Sequence, residues 1–338
     1  MNISRNVSLK KYNTFGIDAH ADYFVEVNSS AEIIQILQDD HLKSLDRLII
    51  GGGSNILLTR DFPGLVIKNN LKGISIVNED VNSVWVRSAA GESWHSFVLW
   101  TLDHNLNGAE NLSLIPGSVG AGPMQNIGAY GVELKDLFFE LEALNVETLE
   151  SRIFTHQECK FGYRESVFKH EVRNQFFITS VTFKLNKIPN LNTSYGAIAQ
   201  ELSKEEITNP SSKDISNAVI RIRQSKLPDP AVLGNAGSFF KNPEIPTAQF
   251  NELKIKFPEI VGYPLANERV KLAAGWMIEQ CGWKGKRVGD TGSHKDQALV
   301  LVNYGNAKGA DVYELALQIR ESVIQKFGVR IDPEVNLI

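Results

Sequence analysis

The segment IPGSVGAGPMQNIGAYG, residues 115–131, combines a high density of glycine with regularly placed apolar side chains. Five of its seventeen residues are glycine, whereas Val119 and Ile127 are apolar anchors that a flexible linker would lack. Backbone N–H groups of a glycine-rich turn form a cradle for anions, and Ser118 and Gln125 add polar side chains. The segment therefore predicts a ligand-binding loop, and a tight buried crossover between strands is the alternative interpretation.

A second glycine loop, residues 51–55 (GGGSN), follows the short apolar run 48–50. A strand that leads into glycines suggests the dinucleotide fingerprint G-x-G-x-x-G, but that pattern needs glycine where the chain has Ile56, and a helix after it. Residues 56–58 and 65–67 instead predict more strand. The nicotinamide-type Rossmann fold is therefore excluded, whereas a pyrophosphate cradle and a tight hairpin both stay open for this loop.

The composition is that of an ordinary globular chain. Its 338 residues, 43% hydrophobic and 22% charged, are enough for two or three domains with sizeable cores. The net charge of -4 and the pI near 6.0 argue against a nucleic-acid-binding protein. Residues 1–16 lack the apolar core of a signal peptide, and no apolar stretch is long enough to span a membrane. Cys159 and Cys281 are far apart, which favours unpaired thiols in a reduced cytoplasm.

Periodicity predicts a mixture of strands and helices along the whole chain. Alternating apolar residues predict strands at 22–27, 83–89, 141–146, 176–185 and 297–302. Capping and helical spacing predict helices after Ser29 (with Glu32), after Gly91, from Asp214 to about Gln224, near 270–281 before Gly282, and from Asn306 or Asp311 to Gly328. The polar stretch 186–214 predicts a surface connection or a domain boundary.

Three side chains outside the glycine loops are candidates for chemistry. Arg164 follows a tyrosine in a short turn, where a functional role and a plain surface turn are both open. Ser238 stands between a glycine and two aromatic residues, and a buried serine at a turn is the alternative. Glu334 lies in a C-terminal tail that is too apolar to be disordered, so we expect it to be held in place. His95 and His104 have no partner at metal-ligand spacing, so no metal site is predicted.

Short motifs in a fixed order resemble one enzyme family over nearly the whole chain. The motifs are NTFG at 13–16, GGSN at 52–55, IPG at 115–117, QNIGAYG at 125–131, YR at 163–164, GNAGSFFKN at 234–242 and PEV at 333–335. Together they resemble the UDP-N-acetylenolpyruvoylglucosamine reductase family, the MurB flavoenzymes, in its longer type I branch. Two positions depart from the family pattern, because Glu165 stands where aspartate is common and Asn336 where arginine is common. Neither is a proposed catalytic position, so the departures bear on local packing.

The resemblance implies an α+β fold with a two-part FAD-binding domain of the vanillyl-alcohol oxidase type and a C-terminal α+β substrate-binding domain. It implies a first FAD-binding subdomain at 1–68 and a second at 69–213, to which the tail 325–338 returns. The substrate-binding domain would then span 214–324. This organisation agrees with the excluded Rossmann fingerprint and with the change of composition at 186–214.

The resemblance also implies the chemistry. The enzyme would use NADPH and non-covalent FAD to reduce the enolpyruvyl group of UDP-N-acetylglucosamine enolpyruvate to UDP-N-acetylmuramate, in peptidoglycan precursor synthesis. By resemblance Ser238 is the proton donor, and Arg164 and Glu334 stabilise the enolate intermediate; Glu334 would have to be protonated in order to donate. The implied partners are the two substrates alone, for a monomer in the bacterial cytoplasm that serves cell-wall biogenesis, cell shape and cell division.

The resemblance places the remaining candidate residues in two groups. The cofactor-binding group comprises Gly51, Gly52, Gly53, Ser54, Asn55, Ile115, Pro116, Gly117, Ser118, Gly120, Gln125, Asn126, Gly128, Ala129 and Tyr130. The substrate-binding group comprises Tyr163, Tyr195, Lys226, Asn242, Lys284 and Gln297, with Tyr195 in a loop that would cover the substrate. The alternatives are a flavin-dependent sugar or alcohol oxidase of the same fold, and a flavin- or nucleotide-binding module without catalysis. An oxidase often has a histidine for covalent attachment of the flavin, and the glycine stretches contain none.

Overall fold

Short strands and seven α-helices follow one another along residues 2–338, the part of the chain described in a computed structural model. The strands are β1 (Ser4–Ser8), β2 (His20–Val27), β3 (Arg47–Ile50), β4 (Ile56–Leu57), β5 (Phe62–Asn69), β6 (Ile74–Glu79), β7 (Ser83–Ala89), β8 (Gly128–Ala129), β9 (Val132–Glu133), β10 (Phe138–Asn145), β11 (Ser151–Thr155), β12 (Phe176–Asn186), β13 (Gly234–Ser238), β14 (Glu244–Pro246), β15 (Gly262–Leu265), β16 (Arg269–Leu272), β17 (Arg287–Val288), β18 (Thr291–Ser293), β19 (Val300–Asn303) and β20 (Asn336–Leu337). The helices are α1 (Ser30–Gln38), α2 (Trp94–Asp103), α3 (Gly196–Lys204), α4 (Ser212–Lys226), α5 (Thr247–Lys256), α6 (Ala274–Gln280) and α7 (Gly309–Phe327).

These elements belong to two compact units. The first unit comprises residues 2–7, Ala21–Gly52 and Pro63–Ser225, and the second comprises Ser8–His20, Gly53–Phe62 and Lys226–Ile338. This division departs from the predicted boundaries in four places, which are residues 8–20, residues 53–62, helix α4 and the tail. Helix α4 stays in the first unit, because Ile215 and Val219 pack in one apolar cluster with Ile198 of α3. The tail belongs to the second unit, because β20 pairs in parallel with β4.

The first unit contains a small sheet of order β1-β2-β5-β3 and a larger sheet of order β11-β10-β12-β7-β6. In the small sheet β3 and β5 are parallel, and α1 packs Ile33 and Ile36 into the core beside it. Helix α1 begins as predicted, since Ser29 Oγ accepts the backbone N–H of Glu32 at 3.3 Å. The carboxylate of Glu32 in turn accepts the backbone N–H of Asn28 at 2.6 Å, so the side chains satisfy two N–H groups where the helix begins.

The larger sheet is antiparallel between the strands β10, β12 and β7, and helix α2 packs against it. Trp94 and Phe97 on α2 are fully buried, and their rings contact Phe183 of β12 at centroid distances of 5.7 and 4.7 Å. The indole N–H of Trp94 donates to the carbonyl oxygen of Leu112 at 2.8 Å. The apolar side chains of this helix are therefore core, and the indole hydrogen bond ties the helix to the chain just before the glycine-rich segment.

The second unit is built on a sheet of order β13-β19-β18-β17, a smaller sheet of order β14-β16-β15 and the pair β20-β4. The long helix α7 buries Val312, Ile319 and Val323. It ends as predicted at Gly328, whose φ of 65° lies in the left-handed region that glycine tolerates. The predicted strand at 297–302 is shorter in the structure, since β19 begins only at Val300.

Three predicted helix starts are wrong by a few residues. Helix α4 is capped by Ser211, whose Oγ accepts the N–H of Asp214 at 3.3 Å, so Asp214 lies inside the first turn. The helix predicted near 270–281 begins at Ala274, because the residues before it form β16. Helix α7 begins after Lys308, whose N–H donates to the carboxylate of Asp311 at 2.9 Å. In both α4 and α7 the predicted acid caps the helix from its third position rather than from the position before it.

Candidate active site

The glycine-rich segment 115–131 folds into tight turns rather than into a flexible loop. It forms two 3-10 turns, Val119–Ala121 and Pro123–Gln125, followed by the β8-β9 hairpin. Two non-glycine residues, Asn126 and Tyr130, adopt left-handed backbone conformations, with φ values of 45° and 49°. Such a conformation is strained for a bulky side chain and occurs where the surrounding structure enforces it, often at functional sites.

Glycines in this segment are required by close packing of the chain against itself. A Cβ on Gly120 would lie 2.5 Å from the Cβ of Ala90, and one on Gly128 would lie 3.0 Å from Nη1 of Arg164. A Cβ on Gly52 would lie 2.8 Å from the Cα of Gly117. The reason for these glycines is therefore contact with other parts of the protein, which no spacing in the sequence distinguishes from contact with a ligand.

The same packing brings the two predicted glycine loops of the first unit into backbone contact. Gly51 faces Ser118, since a Cβ at position 51 would lie 2.0 Å from the hydroxyl oxygen of that serine. Gly52 and Pro116 are exposed, so the paired loops present their backbone to the surface instead of a layer of side chains. Exposed backbone next to glycine suits the pyrophosphate of a dinucleotide. The residues present therefore fit the cofactor that the sequence predicts.

The other three residues of the glycine loop 51–55, at 53–55, belong to the second unit. Gly53 packs against the chain around Tyr12, because a Cβ on it would lie 1.9 Å from the carbonyl oxygen of that tyrosine. The N–H of Thr14 donates to the carbonyl oxygen of Gly53 at 3.1 Å. Asn55 binds the tail, since its carbonyl oxygen accepts the N–H and the side-chain amide of Asn336 at 3.0 and 2.9 Å. The unusual Asn336 thus fastens β20 to the loop.

The side chain of Asn126, a predicted cofactor-binding residue, forms a structural cross-link. The side chain is completely buried. Its Nδ2 donates to the carbonyl oxygen of Gly162 at 2.9 Å, and its Oδ1 accepts the N–H of Lys135 at 3.0 Å. A side-chain amide whose N–H and oxygen both form hydrogen bonds with backbone groups of the protein has a structural role. It holds the glycine-rich segment against the turn that contains Arg164.

Arg164 is held in place by the segment that Asn126 fastens to it. Its backbone is left-handed, with φ of 57°, and its Nη2 donates to the carbonyl oxygen of Gly128 at 2.7 Å. Its guanidinium carbon lies 5.5 Å from the ring centroid of the neighbouring Tyr163. Glu165 points elsewhere and contacts His170 at 2.6 Å. The arginine is therefore pre-oriented, which lowers the entropy that a bound anion must overcome.

Two tyrosines and a further arginine lie at the same end of the first unit. The ring of Tyr195, just before α3, meets the ring of Tyr130 edge-on at a centroid distance of 5.2 Å. Arg223 of α4 forms a hydrogen bond with Tyr130. Burial raises the pKa of Tyr130, and Arg223 partly offsets that shift. Sequence reasoning missed Arg223; its position three residues before Lys226 on α4 was the available signal.

In the second unit, Ser238 and Glu334 come close to each other. Ser238 ends β13 opposite Val300, after an irregularity at which Gly237 takes a φ of 69°. The N–H of Glu334 donates to the carbonyl oxygen of Phe239 at 2.7 Å. The carbonyl oxygen of Glu334 accepts from Nδ2 of Asn55 at 3.3 Å. The tail therefore runs beside the end of β13, and the expectation that Glu334 is held in place is confirmed.

The predicted substrate-binding residues of the second unit fall in different places. Asn242 and Gln297 meet at the start of α6, where Asn242 Oδ1 accepts the N–H of Ala274 at 3.0 Å. A Cβ on Gly275 would lie 3.3 Å from Oε1 of Gln297. Lys284 lies beyond the other end of α6, where its Nζ donates to Glu279 at 3.0 Å, so the structure does not bring it to this pair. Lys226, at the end of α4, is exposed.

Two kinds of feature are missing from residues 2–338. No group of three or more His, Cys, Asp or Glu side chains is arranged to hold a metal ion there. No helix in this range is long and apolar enough to cross a membrane.

Comparison with known proteins matches the C-terminal part of the chain to one reductase family and the N-terminal part to an FAD-binding domain. The family model for the UDP-N-acetylenolpyruvoylglucosamine reductase C-terminal domain matches residues 229–338, and the model for an FAD-binding domain matches residues 21–148. The UDP-N-acetylenolpyruvoylglucosamine reductase of Flavobacterium johnsoniae is 55% identical over 339 residues, which cover all of both chains. The chain belongs to the UDP-N-acetylenolpyruvoylglucosamine reductase family. The reductase of Pseudomonas aeruginosa is 50% identical over all of this chain and 99% of its own.

A solved structure supports the fold of the family independently. The crystal structure of the reductase from Thermus caldophilus superimposes with a TM-score of 0.68 and covers 100% of this chain and 99% of its own, at 24% sequence identity. The predicted α+β fold, with an FAD-binding domain and a C-terminal domain of this reductase family, is confirmed. The relatives do not favour the alternative of a sugar or alcohol oxidase.

Proposed function

We propose that the chain reduces the enolpyruvyl group of UDP-N-acetylglucosamine enolpyruvate to give UDP-N-acetylmuramate, with NADPH as the hydride donor and FAD as the bound cofactor. The observation that carries the proposal is the hydrogen bond from the N–H of Glu334 to the carbonyl oxygen of Phe239, because it brings the backbone of Glu334 beside that of Ser238. When bound, FAD supplies hydride transfer, which protein side chains do not perform. The backbone of Gly51 and Gly52, with that of residues 115–118, would hold its pyrophosphate.

The side chains of the protein would handle the proton and the developing charge. Hydride addition to the methylene carbon leaves an enolate beside the substrate carboxylate, and the neighbouring carbon then needs a proton. We assign the donation of that proton to the hydroxyl of Ser238; an enolate is basic enough to accept it. Glu334, in its protonated form, and Arg164 would donate hydrogen bonds where the negative charge develops.

Orientation of the nucleotide falls to residues outside the reacting centre. The amides of Asn242 and Gln297, which meet at the start of α6, suit the oxygens of a diphosphate. Tyr195 is half exposed and its ring meets that of Tyr130 edge-on, and we assign to its loop the role of covering a bound substrate. Closure of such a loop excludes water from the site.

An anaerobic absorbance experiment tests the proposal. NADPH should bleach the flavin absorbance of the purified protein, and addition of UDP-N-acetylglucosamine enolpyruvate should restore it without oxygen. UDP-N-acetylglucosamine, which lacks the enolpyruvyl group, is the matched control and should leave the flavin bleached. Recovery only with air would support an oxidase, and absence of any bleaching would support a binding module without catalysis.

We also propose that the protein acts as a monomer in the bacterial cytoplasm, in cell-wall biogenesis that serves cell shape and division. The support is the substrate, a nucleotide sugar that is a precursor of peptidoglycan.

Within the chain, the FAD-binding and substrate-binding domains would follow the two compact units, with the boundary near Ser225. Sedimentation equilibrium of the FAD-loaded protein tests the monomer, since a dimer would double the mass of 37.6 kDa.

A further inference from the structure

Arg223 of α4 is a half-buried arginine whose environment does not neutralise its charge. Its Nε is shielded from water and has no hydrogen-bond partner within residues 2–338. No carboxylate in that range forms a salt bridge with it, whereas Arg221, two residues earlier, pairs with Glu201 at 2.9 Å. A structural arginine is normally paired when it is taken out of water. Nη2 of Arg221 is also buried without a partner in the described residues, so the two arginines differ in that only Arg221 is paired with a carboxylate.

The groups around Arg223 are positive or neutral. Tyr130 shares a hydrogen bond with it, and the charge of Arg164 adds to burial in lowering the pKa of Arg223. Burial and Arg223 together lower the pKa of His95, whose Nδ1 accepts the N–H of Leu114 at 2.9 Å. His95 is consequently neutral at pH 7, and Tyr130 stays protonated because burial raises its pKa.

Arg164 and Arg223 are both half-buried, and the like charges of their guanidinium groups repel each other. Desolvation and like charge both disfavour such an arrangement unless an anion accompanies it. Within residues 2–338 no carboxylate is among the charged groups that act on Arg223. An anionic ligand would therefore gain from a charge that the protein itself leaves uncompensated. The planar forks of two arginines suit the two oxygens of a carboxylate.

We propose that Arg223 is a second anion-binding residue of this enzyme and holds, together with Arg164, the carboxylate of the enolpyruvyl group. This inference rests on the proposed function and adds a residue to it. The carboxylate is preferred to the diphosphate because Tyr130, the hydrogen-bond partner of Arg223, lies two residues after Gly128, whose carbonyl oxygen binds Arg164. Arg164 serves the reacting end of the substrate in the proposed mechanism. The hydrogen bond with Tyr130 orients the guanidinium for this task.

Binding of two nucleotides to the FAD-loaded protein tests the assignment. UDP-N-acetylmuramate has the carboxylate, and UDP-N-acetylglucosamine has the same diphosphate without it. Arg223→Met should weaken the first by about 10- to 150-fold, the range for a lost hydrogen bond to a charged group, and leave the second unchanged. Arg223→Lys should recover part of the loss, because it keeps the charge without the fork. Arg221→Met is the matched control on α4 and should bind both nucleotides normally.

Thermal stability of the ligand-free protein separates a ligand-binding arginine from a structural one. Removing an unpaired half-buried charge should leave the Tm of Arg223→Met equal to or above that of the wild type. An equal loss of affinity for both nucleotides would overturn the assignment in favour of the diphosphate. Normal affinities with a lowered Tm would make Arg223 a structural partner of Tyr130. If the wild type binds neither nucleotide, the proposed function is wrong. If the wild type binds UDP-N-acetylmuramate and Arg223→Met binds it with the same affinity, only the role of Arg223 is wrong.

Discussion

The backbone N–H of Glu334 donates to the carbonyl oxygen of Phe239 at 2.7 Å, although 95 positions separate the two residues along the chain. Ser238 immediately precedes Phe239, so this bond fixes the tail beside the end of β13. A neighbouring bridge between Phe240 and Pro333 extends the same antiparallel contact. Two residues that the proposed mechanism needs together are thus brought together by backbone groups, which no substitution of a side chain removes directly.

Ser238→Ala should separate the two half-reactions of the enzyme. Bleaching of the flavin by NADPH should be near normal, because no enolate forms in that step. Recovery with the enolpyruvyl substrate should slow by about 10² to 10⁴, the contribution of a general acid, and Ser238→Cys should restore part of the rate. Stopped-flow absorbance measures both. Ser293→Ala is the control, since that buried hydroxyl donates to the carbonyl oxygen of Ala298. Normal turnover of Ser238→Ala would remove the serine from the mechanism.

Gly52→Ala should lower the amount of FAD bound by the purified protein. A Cβ at this position would lie 2.8 Å from the Cα of Gly117, so the two loops that form the proposed cradle would have to separate. The ratio of flavin absorbance to protein absorbance measures occupancy. Gly196→Ala is the matched control, because a Cβ there has no atom within 4 Å. Full occupancy in Gly52→Ala would show that the cofactor lies elsewhere.

Variants of Tyr195 should distinguish its hydroxyl from its ring. If the hydroxyl binds the diphosphate, Tyr195→Phe and Tyr195→Ala should both raise the substrate Kd by about 10- to 150-fold, the range for a hydrogen bond to a charged group. NADPH should still bleach the flavin in both. If only the edge-on contact with Tyr130 matters, Tyr195→Phe should bind normally. Unchanged affinity in Tyr195→Ala would make the residue part of an ordinary surface loop.

Asn242→Asp should keep the fold and lose affinity for the substrate. An aspartate oxygen still accepts the N–H of Ala274 at the start of α6, but the new negative charge repels a diphosphate. We expect the wild-type Tm and a substrate KM raised at least about 10-fold. Asn242→Ala should in addition lose about 0.5–2 kcal/mol of stability, because the cap is lost. A normal KM in Asn242→Asp would limit this residue to a capping role.

Glu110→Gln should make the protein more stable at pH 7 but not at pH 4. The side chain is buried, and burial raises the pKa of Glu110 above its ordinary value of 4.5. The folded state therefore holds this proton more tightly than the unfolded state, and stability falls as the pH rises above 4.5. Glutamine keeps an oxygen for the N–H of Gly108, which Glu110 accepts at 2.6 Å. Tm measured across this range should show a difference that grows with pH.

Glu158→Gln provides the control of opposite sign. The N–H of Thr155, followed by Arg152, lowers the pKa of this exposed carboxylate to about 2. Glu158 therefore stabilises the fold above pH 4.5, and this contribution is lost as the pH falls towards 2. Its variant should lose Tm at pH 7 and match the wild type at pH 2. A pH-independent difference in Glu110→Gln would mean that the buried acid does not titrate in this range.

Five of the seven helices described in residues 2–338, and the longest strands, were predictable because their signals are local. The alternation at Ser83–Ala89 and the capping pair around α1 involve residues a few positions apart, which sequence spacing records directly. The helix starts at α4 and α7 were misplaced for a related reason. An acid in the first turn and an acid before it look alike in sequence, and only backbone geometry separates them.

The sequence motifs by themselves determined the family, the cofactor class and the residue types at the proposed site. They did so because only certain side chains are able to donate a proton or to bind a phosphate group. The tertiary structure alone decided which of those residues are neighbours. Asn126 became a buried cross-link, Lys284 fell at the far end of α6, and Arg223 emerged as an unpaired charge. The burial of a side chain and its hydrogen-bond or salt-bridge partners depend on contacts between distant parts of the chain. The identity of a single residue does not reveal those contacts.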